Sequence, residues 1–384
     1  DIWPFIRERR EPVYGMHFPT TVANTSVLYS PMYILADYYL MINNIQPQRP
    51  ITNQDIHQMQ VLDHGQKQDT LQSPLIIILL ESLENWVLTP QIMPNLYRLT
   101  QNEHVFYANR IHTQIVGAPS ADGQMIVNTG LLPINAGGTC LYYGEHEYPA
   151  IMNLAPDSTV CLLPHDLPVW NQTQMSPAYG YDTTICYCDV DTILFQKLDT
   201  LVDQGWQYIQ CITQSTHAPF VNEKYSNLDL PEDMPWVMYN FIRGFNALDN
   251  GVGYFVRQLE TDTALQKYTI VITGDHRILH YEKRQQMQAY ADENGMNLCP
   301  MDDCLPLIIY SPAITQNTRY TKDAYQMDIY PTYQSLLGVE NYRWKGFGIN
   351  LLSDTAEIEL KRPITEDEAF ILSDKLIRNN YFAR

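Results

Sequence analysis

Five residues of this chain have types and settings that could do chemistry together: Glu81, Ser120, His217, Asp275 and His276. Carboxylate oxygens combined with an imidazole nitrogen form a ligand set suited to manganese or zinc. A serine hydroxyl is a weak nucleophile until a base or a metal ion activates it. Ser120 lies in Gly117-Ala118-Pro119-Ser120-Ala121-Asp122-Gly123-Gln124, ahead of a helical stretch at 125–129. That setting predicts Ser120 as a helix N-cap, with helix-end N–H groups facing a phosphate or an ionising hydroxyl. No Gly-x-Ser-x-Gly elbow surrounds it, which argues against a Ser-His-Asp esterase. Taken singly, each residue has a plainer role: Glu81 in a turn, Ser120 as a simple cap, His217 as a structural hydrogen-bonding group. Their convergence is what points to chemistry.

The elements that would position them are legible in the hydrophobic pattern. Apolar runs of strand length occur at 75–80, 160–163, 208–213, 269–273 and 307–310, and segments of helical period at 193–202, 236–259 and 326–337. Strands apolar on both faces, separated by helices, predict an α/β fold with a mostly parallel central sheet and helices on both faces. Ligands bind such sheets at the carboxyl ends of the strands. The 75–80 run leads into Glu81-Ser82, the 208–213 run into Gln214-Ser215-Thr216-His217, and the 269–273 run into Gly274-Asp275-His276. Three strands thus deliver their polar residues to one edge.

Residues 1–72 are polar and punctuated by Pro4, Pro12, Pro19, Pro31, Pro47 and Pro50. They are expected to be a lead-in segment, followed by a catalytic domain at 73–352 and a tail at 353–384 with a closing helix at 365–377. The 24 Lys and Arg against 43 Asp and Glu give a formal charge of −19. That lacks the basic footprint a nucleic-acid partner requires. No apolar run approaches the ~20 residues that span a bilayer. The chain begins with Asp1 rather than Met, so it is expected to start after a cut, where any signal peptide or membrane segment would have been lost. The seven cysteines include no CxxC pair, and Cys186-x-Cys188 and Cys299-x4-Cys304 lack zinc-site spacing. They are expected to be mostly buried small hydrophobes rather than disulfides.

Leu79-Leu80-Glu81-Ser82 after a strand, then Met93-Pro94-Asn95-Leu96-x-x-Leu99, resembles the start of the sulfatase-like domain of the alkaline phosphatase superfamily. Ser120-Ala121-Asp122-Gly123, Thr216-His217-Ala218-Pro219-Phe220, Gly274-Asp275-His276 and Gln326-x-Asp328-Ile329-Tyr330-Pro331-Thr332 come after it in order. Together they are similar to lipoteichoic acid synthase and its Gram-negative relatives, which transfer glycerol phosphate outside the cell. The resemblance implies one divalent metal ion, manganese or magnesium ahead of zinc, held by Glu81, Ser120, Asp275 and His276. It places Ser120 at the position of the family's nucleophilic threonine, His217 beside the substrate phosphate and Trp170 on the pocket wall. The family's phosphate-binding arginine after Trp-Asn is Gln172 in this chain. The formylglycine sulfatases need Pro and then Arg shortly after the nucleophile, and Ser120-Ala121-Asp122-Gly123 does not supply them.

The expected function is a metal-dependent phosphotransferase or phosphodiesterase that acts, through a covalent Ser120 intermediate, on the polyol- or amino-alcohol-phosphate headgroup of a lipid or glycan, of the phosphoglycerol type. The resemblance implies that it works outside the cytoplasmic membrane, tethered by an anchor missing from this chain. The rivals are a phosphoethanolamine transferase or sulfatase of the same superfamily, and a non-catalytic domain that only binds a glycan or lipid headgroup.

Overall fold

The structure, a computed structural model, describes residues 50–61, 70–134, 138–187, 190–218, 220, 226–277, 279–339, 344–353, 362 and 364–383. Its centre is a nine-stranded sheet: β1 (Leu75–Leu80), β2 (Val105–His112), β3 (Thr159–Leu163), β4 (Thr183–Cys186), β5 (Tyr208–Ile212), β6 (Thr269–Gly274), β7 (Leu305–Tyr310), β8 (Thr318–Tyr320) and β9 (Ala324–Tyr325). The spatial order is β4-β3-β5-β1-β6-β7-β2-β8, with β9 also pairing β2. β4, β3, β5, β1 and β6 run parallel, whereas β7 is antiparallel to both of its neighbours, β6 and β2. The sheet is therefore mostly parallel, as its apolar runs predict.

Every residue of β1 is buried, and its side chains alternate between two cores. Leu75, Ile77 and Leu79 face one core, and Ile76, Ile78 and Leu80 the other. The first core takes residues from α2 (Pro119–Thr129), α6 (Ile329–Gln334) and α7 (Glu366–Arg378). The second takes residues from α1 (Pro94–Leu99), α3 (Asp191–Asp203), α4 (Trp236–Thr261) and α5 (Tyr281–Glu293). Helices on both faces leave the strand ends as the accessible edge.

Buried carboxylates fix several loops near that edge. Within α4, Asp249 accepts the N–H groups of Asn95 and Leu96 at 2.9 Å each, capping α1, whose own N-cap Met93 offers no side-chain bond. Asp191, the first residue of α3, accepts from Gln214 and Ser215 at 3.1 and 2.7 Å and from the Tyr187 hydroxyl at 2.7 Å. It thereby shapes the segment that carries His217.

The helix α5 is absent from the sequence pattern because one of its three buried side chains is charged. Arg284 makes a two-pronged ion pair with Glu84, at 2.6 and 2.8 Å, and donates further to the carbonyls of Leu279 and Pro300. Removing one partner of a buried pair strands the other charge, which typically costs ~3–5 kcal/mol. Arg284→Met is expected to lower stability by about that amount in urea denaturation. A loss below ~1 kcal/mol would show that Glu84 is satisfied without the guanidinium.

α7 starts with a capping box between Thr365 and Glu368 and packs Leu372 and Leu376 into the first core. Cys140, Cys161, Cys186, Cys211, Cys299 and Cys304 are all free thiols, four of them buried, while Cys188 lies outside the described residues. No helix among the described residues is long and apolar enough to cross a membrane.

Candidate active site

Glu81 comes directly after the last residue of β1, and its main chain is clamped by the segment that follows β5: its N–H donates to Thr213 Oγ1 at 2.9 Å and its carbonyl accepts from Thr216 Oγ1 at 2.5 Å. Ser82 stands in the left-handed region with φ of 58°, a conformation costly for a side-chain-bearing residue. Two bonds hold it there. Its hydroxyl donates to Glu81 Oε1 at 2.6 Å and its N–H to Asp275 Oδ1 at 2.8 Å.

Asp275 and His276 come directly after β6. The Asp275 carbonyl accepts from Gln326 Nε2 at 2.7 Å, while Gln326 Oε1 accepts from Thr113 and Gln114 at 2.8 Å each. This gives a physical reason for Gln326 in its motif. His276 Nδ1 donates to the Arg277 carbonyl at 2.9 Å, which turns Nε2 inward towards the carboxylates. That Nε2 lies 3.3 Å from Glu81 Oε1, 3.5 Å from Asp275 Oδ2 and 3.2 Å from Ser120 Oγ. Ser120 Oγ donates to Glu81 Oε2 at 3.2 Å.

The sequence predicts Ser120 as the N-cap of its helix, and the structure corrects this. Ala118 is the cap, Pro119 the first residue and Ser120 the second. Asp122 explains the shift: its buried carboxylate accepts the N–H groups of Val116, Gly117 and Ala118 at 2.9, 2.9 and 3.1 Å. The incoming loop curls round Asp122, and the helix begins earlier than the pattern suggests. Burial raises Asp122 to about 6 despite those three donors. α2 lies close against β6, so a Cβ on Gly123 would come 2.1 Å from the Asp275 carbonyl oxygen. Gly123→Ala is expected to cost about 1–3 kcal/mol by overpacking, read as a lower urea midpoint. An unchanged midpoint would mean the strand end yields freely.

Two buried carboxylates and a buried imidazole thus offer ligand atoms within 4.8 Å of one another. Asp275 is raised by burial and by the Glu81 charge; Glu81 would be raised by burial but is held down by His276 and Ser82. Burial would lower His276, yet Asp275 and Glu81 carry it up to about 10. All three effects describe a pocket that calls for positive charge. Asp275 Oδ2 is buried and without a hydrogen-bond partner among the described residues, so one donor atom is left facing the cluster. The oxygen and nitrogen set fits a divalent cation of the manganese, magnesium or zinc type.

The other predicted residues lie outside this buried group. His217 is exposed, with Nδ1 on the Ala218 carbonyl at 2.6 Å, yet close enough to Glu81 to help lower its pKa. Trp170 is half-buried after β3, and both it and Asn171 have positive φ. Gln172 is buried in a neutral chain of amides, donating to Gln124 Oε1 at 2.6 Å and accepting from Ser176 at 2.8 Å. His165 joins them. It lies just after β3, burial lowers its pKa, and the Glu81 charge opposes that lowering. The apolar run at 160–163 ends just before Pro164-His165, so the strand-end rule would have found it.

A family model described as Sulfatase matches residues 75–339. Lipoteichoic acid synthase 2 of Bacillus subtilis (strain 168) is 22% identical over 307 residues, covering 73% of this chain and 47% of that protein. The chain thus spans about half the length of the curated relatives it matches. The crystal structure of the lipoteichoic acid synthase LtaP from Listeria monocytogenes superposes with a TM-score of 0.63 at 20% identity, over 81% of this chain and 92% of that one. The Streptococcus pyogenes phosphoglycerol transferase GacH, in complex with sn-glycerol-1-phosphate, gives 0.56 at 14% identity, over 87% and 94%. The matched span begins at the first residue of β1 and takes in all nine strands and both donor-bearing strand ends, and the chain belongs to the sulfatase family of the alkaline phosphatase superfamily.

Proposed function

We propose that this chain is an extracytoplasmic, metal-dependent phosphotransferase or phosphodiesterase that acts on a phosphoglycerol-type headgroup through Ser120. The observation that carries this reading is the convergence of Ser120 Oγ with Glu81 and His276, beside Asp275 Oδ2, which has no hydrogen-bond partner among the described residues. A divalent cation held by Glu81, Ser120, Asp275 and His276 would lower the pKa of the serine hydroxyl and neutralise phosphoryl oxygens.

Ser120 Oγ attacks phosphorus as its proton passes, through solvent, to the bare Nε2 of His217. The Oγ–P bond forms, and the bond from phosphorus to the leaving alcohol breaks. His217, its Nδ1 anchored on a carbonyl, presents Nε2 to protonate the leaving alkoxide. An acceptor alcohol or water then cleaves the Oγ–P bond and restores the serine. Trp170 forms part of the pocket wall. The reading places the domain outside the cytoplasmic membrane, tethered by a segment beyond this chain. Turnover of a panel of phosphodiesters, phosphomonoesters and aryl sulfates tests it, and activity confined to aryl sulfates would overturn it.

Gln172 favours a second reading of the headgroup. Its side chain is neutral and already engaged by Gln124 and Ser176, so it supplies no charge to a phosphate. An amino-alcohol phosphate carries its own cation and asks less of the protein than a polyol phosphate does.

His217→Ala is expected to slow turnover by ~10²–10⁴-fold while leaving manganese content unchanged. Elemental analysis beside steady-state rates separates the two effects. Loss of the ion in this variant would make His217 a ligand and overturn its assignment to the substrate.

A further inference from the structure

The same edge of the sheet carries a second convergence of metal-binding groups, beyond β6. β2 ends at His112, and antiparallel β7 begins after Cys304, with Ile111 paired to Leu305. His112, Asp303 and Cys304 each offer a ligand atom within 4.8 Å of the other two. Cys304 is buried, and the other two are half-buried.

The imidazole is already oriented. His112 Nε2 lies 2.8 Å from Asp323 Oδ1, and Arg110 holds the same oxygen at 2.7 Å. A carboxylate on one ring nitrogen fixes the tautomer and leaves the other nitrogen with a free lone pair. That second nitrogen, Nδ1, stands 3.8 Å from Cys304 Sγ. In a tetrahedral site with Zn–S near 2.3 Å and Zn–N near 2.0–2.1 Å, the two ligand atoms stand ~3.6 Å apart. The observed spacing is therefore close to the edge of a zinc tetrahedron.

We propose that His112 Nδ1, Cys304 Sγ and a carboxylate oxygen of Asp303 form a second cation site, selective for zinc or a comparably thiophilic divalent ion. The fourth position falls to water, since the His112 side chain is 36% exposed. On uptake the thiol proton passes to solvent and the metal–sulfur bond takes its place. The thiolate separates this site from the oxygen-rich Glu81 cluster, which has no sulfur and suits harder ions. Bound there, the ion would tie the end of β2 to the start of β7. It would also draw on Asp303, the ion-pair partner of Arg277 and thus of the residue after His276.

The test uses the full chain loaded with cobalt(II), whose thiolate charge-transfer band in the near ultraviolet reports only sulfur-bound ion. The band is expected in the wild type and in Asp275→Ala, which disables the other cluster, and is expected to vanish in Cys304→Ser. Because Cys304 is buried, His112→Gln and Asp303→Asn serve as further variants at half-buried positions. Both are expected to weaken cobalt affinity by at least ~10-fold. No band in the wild type, a band that persists in Cys304→Ser, or unchanged affinity in both further variants would overturn the site. None of these outcomes depends on the phosphotransfer activity of Ser120.

Discussion

Ser120→Ala is expected to abolish turnover while the chain stays folded. The side chain is half-buried, and among the described residues its hydroxyl bonds to Glu81 and His276, outside both cores, so its removal leaves no core cavity. Stability is expected to fall by no more than ~1 kcal/mol, the usual net contribution of a hydrogen bond. Positioned acid–base groups alone contribute ~10²–10⁴-fold, so a variant keeping a tenth of its rate has not lost its nucleophile. Rapid quenching with a labelled donor is expected to trap the transferred group on the peptide that contains Ser120. The competing hydroxyls are poorly placed for attack: Ser82 is spent on Glu81, and Thr129 donates to the Met125 carbonyl inside α2. Label on Ser82, or inversion at a chiral phosphorus without a burst, would favour direct attack by water and remove the covalent step.

Asp275→Ala is expected to empty the Glu81 cluster of manganese. The variant deletes Oδ2, which has no hydrogen-bond partner among the described residues, and Oδ1, the acceptor that holds both Ser82 N–H and His276 N–H. Elemental analysis after manganese loading and dialysis reads the loss, and retention of a full equivalent would refute the ligand assignment. The pH dependence comes from the same charges. Burial would lower His276, but Asp275 and Glu81 raise it from 6.5 to about 10. In the chelated protein the imidazolium therefore stabilises the fold fully below about 6.5, and that stabilisation is lost as pH rises through about 10. Cation uptake must displace this proton, so affinity is expected to increase with pH across the neutral range. Calorimetry in buffers of different ionisation enthalpy measures the released proton. Affinity flat with pH would mean that His276 is neutral before the ion arrives.

The strands at the centre of the sheet were legible because they are apolar on both faces, as in β1 with its run of Leu and Ile. β2 was not, because Asn109 and Arg110 interrupt a strand flanked on one side only by the short β8 and β9. α5 escaped because its buried stripe contains Arg284, which hydrophobic periodicity counts as surface. At the candidate site, Glu81, Asp275, His276 and His217 were legible as polar residues placed just beyond apolar strands. His165 stands in the same relation to the run at 160–163 but was missed, a lone histidine behind Pro164. Ser120 was located, but its helical position was misjudged by the span from Ala118 to Ser120. The decisive residue there is Asp122, whose bonds to three preceding N–H groups leave no periodic trace. His112 ends β2 and Cys304 comes just before β7, and the two meet through the antiparallel β2–β7 pair, so no linear spacing could have joined them.

The strand order also governs when the site can come into being. Glu81 and Ser120 are 39 residues apart, Ser120 and His276 are 156 apart, and Ser82 and Asp275 are 193 apart. β1 must close a long loop to pair with β5 and a longer one to pair with β6. Parallel pairing at such separations is among the slow steps of folding, because closure entropy is spent before contacts repay it. The donor atoms therefore meet only when the middle of the sheet is complete. A nascent chain would offer a passing ion only fragments of the donor set, so any cation held by this cluster would be taken up by the folded protein, in whatever compartment it then occupies.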